Sequence, residues 1–382
     1  MGDGRGEMTG PLAVGVSMPR GNRAERSSPA VPARAPRRRQ ARSAVLAFLL
    51  GIVVIHGGFL LLLDYGPPRL RDPEYGKRLE KVRARQTEHP DRPLILALGS
   101  SRTAMGVRPD VLAPLPPGQP LVMNFALAGS GPIMELMAFR RALADGLKPS
   151  AVILEYWPAF LRETDTYHED GRIDVARLRP VDRSIVDEFF RDPAQTKEKM
   201  QEHRQNPWYA HRRSILNQVA TRWLPLKDRS EAMWEPIDDW GWLPGRAQIQ
   251  EAERPKAIAA TSGYYVPLFA KYEVSPVADQ AYRQLIAECR ERNIPVVLLY
   301  LPESAAFRAM MPPAAVKASE DYLVRLTKEL NLPLIDARGW VSDDELPDGF
   351  HLMQNGAKTV TLRLRDELAR VLPQRTATEG RP

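Results

Sequence analysis

From residue 93 to residue 372 the sequence alternates short apolar runs with longer amphipathic segments. Leu94–Leu98 is continuously apolar, as expected of a strand buried on both faces of a sheet. Strands that alternate with helices form a parallel sheet covered on both faces, so we predict a three-layer α/β/α sandwich. The predicted strands are Leu94–Leu98, Leu121–Phe125, Ala151–Tyr156, Ile294–Leu301 and Leu332–Ile335. The predicted helices are Pro132–Leu147, Ala278–Arg292, Ala315–Leu330 and Gln354–Leu372.

The segment from about 162 to 277 interrupts this alternation. It is polar and carries five tryptophans. We predict an insertion of helices and loops over the strand ends, with most of these tryptophans in its own core; stacking on sugars is the alternative. The tryptophans are Trp208, Trp223, Trp234, Trp240 and Trp242.

An uncharged apolar run, Ala44–Leu63, lies near the N-terminus. Its 20 residues would span about 30 Å as a helix, the hydrocarbon thickness of a bilayer. It exceeds the core of a signal peptide, which is about 7–15 residues long, and no small-x-small cleavage site follows it. We predict an uncleaved signal anchor in the cell (inner) membrane. The alternative is a cleaved, secreted protein that lacks residues 1–63, which an intact mass would reveal.

The flanking segments complete the predicted organisation. Residues 1–43 are rich in Gly, Pro, Ser and Arg and read as a disordered cytoplasmic tail, since Arg-rich flanks stay on that side. The main domain is therefore expected outside the cytoplasm, in the periplasm or its equivalent. Residues 64–92 are charged and predicted to form a stalk, and residues 373–382 a second disordered tail.

The charge distribution and the single cysteine exclude some classes of function. The formal charge of +7 includes +6 from residues 1–43, where nine Arg outnumber three acidic residues. The remainder carries about +1, so the folded part has no electrostatic basis for binding nucleic acid. Cys289 is the only cysteine, which excludes an intramolecular disulfide and cysteine-based metal sites.

Two short segments carry residues for acyl transfer. Ser101 follows the first predicted strand at a Gly-containing turn, which places it at the carboxyl edge of the sheet, where α/β proteins bind ligands. Asp348 and His351 are three residues apart before the last helix, so they can share one face of a turn. A serine needs a base and an oriented imidazole, which His351 and Asp348 would supply. The alternative is that Ser100, Ser101 and Asp348 only cap helices.

A glycine-rich segment joins the second predicted strand to a helix. Asn124–Pro132 contains Gly129 and Gly131, and backbone N–H groups at a helix N-terminus are donors for an anion. An ordinary turn is the alternative. Asn124 and Arg102 are candidate substrate-binding residues, although Arg102 could equally pair with a carboxylate at the surface. Glu155, at the end of the third strand, is predicted to be a structural hydrogen-bonding residue.

Three ordered blocks resemble the SGNH/GDSL hydrolase superfamily. They are Gly99-Ser100-Ser101-Arg102-Thr103, Asn124-Phe125-Ala126-Leu127-Ala128-Gly129 and Asp348-Gly349-Phe350-His351. The resemblance covers about residues 93–160 and 278–372 and implies a flavodoxin-like sheet and a cofactor-free esterase or O-acyltransferase. Ser101 would be the nucleophile, Asp348 and His351 its partners, and the N–H groups of Ser101 and Gly129 the oxyanion hole.

The Gly-Ser-Ser variant and the anchor resemble the extracytoplasmic branch that includes D-alanyl-lipoteichoic acid transfer and alginate O-acetylation proteins. That branch implies an acyl-ester or cell-envelope glycan substrate and a multi-span membrane acyltransferase as partner. One departure stands out: the third block normally supplies an Asn oxyanion donor, and Leu154–Ala159 has none. Losing such a donor typically costs about 100-fold or more in rate. A non-catalytic envelope-assembly or glycan-binding protein on the same fold is therefore the alternative.

No metal site is predicted. His168 with Asp165 and Glu169, and His203 with His211, lack the spacing of metal ligands on a helix and are expected at the surface.

Overall fold

The computed structural model describes residues 37–116, 118–162, 169–226, 229 and 231–372. The described residues form a five-stranded, wholly parallel sheet in the order β2-β1-β3-β4-β5. This order is flavodoxin-like, which confirms the predicted fold class. The strands are β1 Leu94–Leu98, β2 Leu121–Asn124, β3 Pro149–Glu155, β4 Val296–Tyr300 and β5 Leu334–Asp336.

Helices cover both faces of the sheet. The α-helices are α1 Arg37–Tyr65, α2 Pro73–Glu88, α3 Ser101–Gly106, α4 Pro132–Ala144, α5 Pro158–Leu161, α6 Arg183–Phe189, α7 Pro193–Gln205, α8 Pro207–Ala210, α9 Arg212–Val219, α10 Glu231–Trp234, α11 Arg254–Phe269, α12 Pro276–Glu291, α13 Ala305–Arg308, α14 Pro313–Glu329 and α15 Gln354–Val371. The predicted helices of the α/β domain are therefore present, with ends shifted by a few residues.

Alternate side chains of each strand enter two separate cores. In β1, Leu96 and Leu98 join the core formed with α2, α4, α12 and α14, whereas Ile95 and Ala97 join the core formed with α15. Successive side chains of a strand point to opposite faces, so a strand buried on both sides reads as a continuous apolar run. The carboxyl ends of β1 and β3 meet at one edge of the sheet, which carries the site described below.

Helix α2 corrects the prediction of a stalk over residues 64–92. Tyr75, Leu79 and Val82 are buried in the larger core, and the Arg78 side chain is buried as well. The Arg78 guanidinium donates to the backbone oxygen of Asn124 at 3.1 Å. Residues 75, 79 and 82 follow helical spacing, but the surrounding charges obscure this narrow apolar stripe in the sequence. The folded domain therefore begins before residue 93.

Helix α1 contains the apolar run predicted to be an anchor. An 18-residue window within Arg39–Tyr65 has a mean hydropathy of 2.6, and this helix is, by length and composition, able to cross a membrane. The helix begins at Arg37, so residues 37–43 belong to it rather than to a disordered tail. The predictions for residues 1–36 and 373–382 lie outside the described residues.

The two ends of the insertion lie side by side on the α/β domain. Arg162 and Val274 form an isolated antiparallel bridge, and the Ser275 N–H donates to the Leu161 backbone oxygen at 2.7 Å. Between these ends, short helices and loops replace the strand–helix alternation, as predicted. Trp234, Trp240 and Trp242 are buried, whereas Trp208 and Trp223 are exposed.

Candidate active site

The turn after β1 presents Ser101 at the carboxyl edge of the sheet. Ser101 is the first residue of α3, and Ser100 caps that helix, because its Oγ accepts a hydrogen bond from the Arg102 N–H at 3.2 Å. Gly99 is packed so closely against Glu155 and Thr103 that a Cβ there would collide with both side chains. Since Ser100 does the capping, the Ser101 hydroxyl is available for another partner.

Three side chains form a hydrogen-bonded chain across 250 residues of sequence. Ser101 Oγ lies 2.8 Å from His351 Nε2, and His351 Nδ1 lies 2.7 Å from Asp348 Oδ2. Asp348 Oδ1 also accepts from the backbone N–H of His351 at 2.9 Å. The aspartate thus holds its own turn and orients the imidazole, but it does not cap the last helix, whose N-cap is Met353.

The ionisation of Asp348 determines which nitrogen of the His351 ring donates a hydrogen bond and which accepts one. Burial alone would raise its pKa, but the hydrogen bond and charge of His351 and the N–H groups of His351 and Phe350 outweigh burial and hold the pKa below its usual value. An ionised carboxylate only accepts hydrogen bonds, so His351 donates from Nδ1. Nε2 is then free to accept the Ser101 proton, as a general base requires.

The site is open to solvent on one side and aromatic on the other. The side chains of His351 and Asp348 remain 22% and 29% exposed. Phe350 lies against the His351 ring, with centroids 4.1 Å apart, and stacks on Trp157 at 5.4 Å. Phe350 and Trp157 are themselves buried, so they support the imidazole ring from inside the protein.

Two backbone N–H groups, one after β1 and one in the segment after β2, have no hydrogen-bond partner among the described residues. Within the described ranges, no acceptor contacts the N–H of Ser101 or of Gly129. Gly129 has a φ of +77°, which a residue with a Cβ rarely adopts, and the Arg172 guanidinium packs against it. These are the two N–H groups that the resemblance assigns to an oxyanion hole.

The N-terminus of α4 is already occupied by the protein itself. The Glu169 carboxylate accepts from the N–H groups of Gly131, Ile133 and Met134 at 2.9, 3.0 and 2.7 Å. Burial raises the pKa of Glu169 to about 7, against these three hydrogen bonds. The Ala128 N–H also has a partner, since it donates to Glu74 at 2.9 Å. Of the N–H groups predicted to donate to an anion in this segment, that of Gly129 therefore remains available among the described residues.

Arg102 and Asn124, predicted to bind substrate, are structural. The Arg102 side chain is fully buried, lies 3.4 Å from Glu303 and 3.7 Å from Glu155, and donates to two backbone oxygens. Asn124 is also buried, and its side-chain amide donates to the backbone oxygens of residues 103, 104 and 107. Asn124 thus satisfies buried backbone oxygens of the segment after Ser101, whereas Arg102 satisfies those of Leu301 and Pro302, which follow β4.

Glu155 holds the nucleophile turn, and sequence reasoning missed Glu303, the second carboxylate beside Arg102. Glu155 Oε2 accepts from the Ser100 N–H at 2.6 Å and from Thr103 Oγ1 at 2.8 Å, as predicted for a structural hydrogen-bonding residue. Glu303 is buried and accepts from Trp157 Nε1 at 2.9 Å. Its position directly after β4, at the edge where such residues collect, was the available signal.

The histidines expected at the surface differ in their environments. His211 is buried and His203 half-buried, while His168 and Asp165 lie outside the described residues. Burial and the nearby charges of Arg71 and His203 lower the pKa of His211 to about 4. No group of three or more potential metal ligands occurs in the part of the chain that the structure describes.

Comparison with known proteins returned solved structures only. No family model and no curated protein matches the chain. A protein from Bacteroides fragilis provisionally assigned as an acylhydrolase has 12% identity and a TM-score of 0.36, over 76% of this chain and 95% of that one. A lipase/acylhydrolase from Enterococcus faecalis has 13% identity and a TM-score of 0.33, over 75% and 100%. A protein from Agrobacterium tumefaciens provisionally assigned as an arylesterase has 14% identity and a TM-score of 0.32, over 73% and 100%.

These similarities carry no argument about function at such TM-scores. The fold rests on the sheet itself, and the chemistry rests on the side chains at its edge. The chain is an α/β protein with a flavodoxin-like parallel sheet and a hydrogen-bonded Ser–His–Asp arrangement at its carboxyl edge.

Proposed function

We propose that this protein is a serine esterase or O-acyltransferase of SGNH type that acts through an acyl-enzyme on Ser101. The observation that carries the proposal is the continuous chain from Ser101 Oγ through His351 to Asp348, with distances of 2.8 and 2.7 Å. A serine hydroxyl becomes nucleophilic when a base takes its proton and a third group orients that base. The lowered pKa of Asp348 keeps the carboxylate charged opposite the imidazolium that would form.

The proposed reaction needs only groups at this edge. Ser101 Oγ attacks the ester carbonyl carbon while its proton moves to His351 Nε2. The N–H groups of Ser101 and Gly129 hold the tetrahedral oxyanion. His351 then returns the proton to the leaving alcohol as the ester bond breaks, which leaves the acyl group on Ser101. Water or an acceptor hydroxyl, deprotonated by His351, resolves the acyl-enzyme and restores the serine.

The oxyanion site would lack the Asn donor found in the family. Glu155 occupies the corresponding strand end and bonds to the nucleophile turn instead. The Arg172 guanidinium, packed on Gly129, would add positive potential beside the two N–H donors. This arrangement supports oxyanion stabilisation without an Asn.

We also propose an anchored enzyme that acts on cell-envelope material. The apolar length of α1 supports an anchor, and the Arg-rich residues before it support a cytoplasmic N-terminus and a domain outside the cytoplasm. Glu74, ten residues beyond Asp64, accepts a hydrogen bond from the Ala128 N–H next to Gly129, so α2 connects α1 to the segment proposed to bind the oxyanion. A cell-envelope glycan ester and a multi-span membrane acyl donor fit this placement.

Fluorophosphonate labelling of the full-length protein in detergent tests the proposal. We expect wild type to be labelled at Ser101, and Ser101→Ala to be unlabelled. His351→Ala should lose at least about 1,000-fold in labelling rate, because the serine then has no base. His89→Ala is the matched histidine control and should label normally.

The same proteins should be assayed for hydrolysis of p-nitrophenyl acetate. Full labelling of His351→Ala, or a folded wild type that neither labels nor hydrolyses, would contradict the proposal. The second result would favour the non-catalytic envelope-assembly or glycan-binding protein.

A further inference from the structure

A cavity lies at the end of α1, and neither Ser101 nor His351 lines it. Its volume is about 410 Å³, within the range of ligand sites. It lies between Leu60 and Asp64 of α1 and the insertion, and none of the residues proposed for catalysis lines it. Because Leu60 belongs to the apolar run, the cavity opens at the level where a membrane surface would lie.

The cavity is strongly basic. Four cationic side chains and one carboxylate line it, so its lining carries a net charge of +3 with neutral histidines. One of the four cations, Lys197, also pairs with Asp187, which does not line the cavity. Asp64 contacts two of these cations, Arg71 at 2.8 Å and Arg204 at 2.6 Å, and holds them in place. The lining cations are Arg71, Arg183, Lys197 and Arg204.

Some of the polar groups that line the cavity have no ion-pair or hydrogen-bond partner among the described residues. Arg183 is exposed, and among the described residues no carboxylate pairs with it. His211 lines the cavity at 3% exposure, and its Nδ1 has no hydrogen-bond partner in the part of the chain that is described. Arg71 Nε is likewise buried without a partner. Buried polar atoms without partners are uncommon, and here a ligand would satisfy them.

Exposed aromatic residues surround the same end of the molecule. Trp208 stacks on Phe59 of α1, with ring centroids 3.8 Å apart, and is still 47% exposed. Tyr65, Tyr209 and Trp223 are exposed as well, the last at 73%. Tryptophan and tyrosine concentrate where membrane proteins meet the lipid headgroups. This belt indicates that the insertion faces the bilayer rather than open solvent.

We propose that this cavity binds the phosphate of an anionic membrane lipid. Arginine recognises phosphate through charge-assisted, often bidentate hydrogen bonds, and basic pockets beside membrane helices bind anionic headgroups. Arg183 and Lys197 contact the phosphate from the insertion side, and the acyl chains run along the apolar surface of α1. The proposed lipid site shares no residue with the proposed acyl-transfer site, so an experiment that disproves one proposal does not bear on the other.

Native mass spectrometry of the full-length protein in detergent tests this site. The protein is mixed with equal amounts of phosphatidylglycerol and phosphatidylcholine that carry identical acyl chains. We expect phosphatidylglycerol to be retained preferentially. Arg183→Glu should reduce that preference about fivefold or more, since one cation near a membrane contributes about 1 kcal/mol. Lys197→Gln tests the second contact with a milder change.

Arg222→Glu is the matched control, because Arg222 is exposed on the insertion but does not line the cavity. It should keep the wild-type preference, and unchanged thermal unfolding should show that the variants are folded. Equal retention of the two lipids, or equal losses in Arg183→Glu and Arg222→Glu, would overturn the proposal. Thermal stabilisation by inorganic phosphate without a lipid preference would identify a free-phosphate site and also overturn it.

Discussion

At the residue scale, the nucleophile turn depends on a buried charge cluster beneath it. Glu155 accepts hydrogen bonds from both sides of Ser101, through the Ser100 N–H and Thr103 Oγ1. Arg102 supplies the opposite charge, 3.7 Å from Glu155 and 3.4 Å from Glu303. Both glutamates compensate the buried guanidinium, but only Glu155 contacts the turn. Replacing either glutamate should therefore lower the stability, whereas only replacing Glu155 should slow the reaction of Ser101.

We predict that Glu155→Gln slows fluorophosphonate labelling about tenfold or more, since small displacements of reacting groups are costly. Glu303→Gln should label at close to the wild-type rate. Each variant should lose about 3 kcal/mol of unfolding free energy, because removing one partner strands a buried charge. Labelling rates and thermal unfolding of the two variants check this. Equal rates in both variants would mean that Glu155 does not position Ser101.

At the element scale, α2 joins α1 to the sheet edge that carries Ser101. Its apolar stripe enters the core beside β2, and its first turn contributes Glu74 to the segment before Gly129. Burial raises the pKa of Glu74 to about 7, against the charges of Arg78 and Arg177. An element with such contacts stabilises the domain rather than spacing it from a membrane.

Leu79→Ala should lower the unfolding free energy by about 2–5 kcal/mol, the usual cost of truncating a buried leucine. Glu80→Ala, on the exposed face of the same helix, should change it by less than about 0.5 kcal/mol. Chemical denaturation followed by tryptophan fluorescence measures both. A small effect of Leu79→Ala would restore the prediction of a stalk.

At the scale of the whole molecule, the described residues between 54 and 372 form one compact unit. Cys289 is buried in α12 within the larger core, so its thiol is accessible only when that core opens. Burial, with a contribution from the charge of Glu288, raises the pKa of Cys289 to about 12. The single cysteine therefore reports the opening of this unit.

Iodoacetamide at pH 8 should leave the native protein unmodified, because a thiol with a pKa of about 12 is then only about one part in 10,000 thiolate. In denaturant the pKa returns towards about 8.5, and modification should accelerate at least about 1,000-fold. Mass spectrometry of the single adduct follows both rates. Rapid modification of the native protein would show that α12 is not packed as described.

Local pattern and chain order were enough to predict the strands, the main helices and the edge that carries Ser101. A buried parallel strand must be apolar, and the residue after it must lie at the carboxyl edge. The three-residue spacing of Asp348 and His351 likewise follows from a single turn. The distance from Ser101 to His351 depends on how the first and last parts of the domain pack together.

Only the tertiary structure decided which charged residues are buried. Arg78, Arg102 and Glu303 resemble surface residues in the sequence, yet all three lie in the interior with partners from distant elements. Glu169 is only half-buried, but it too finds its partners through folding, because it occupies the helix end expected to bind an anion. A charge can be buried only where folding brings it a compensating partner, and that partner is invisible to local pattern.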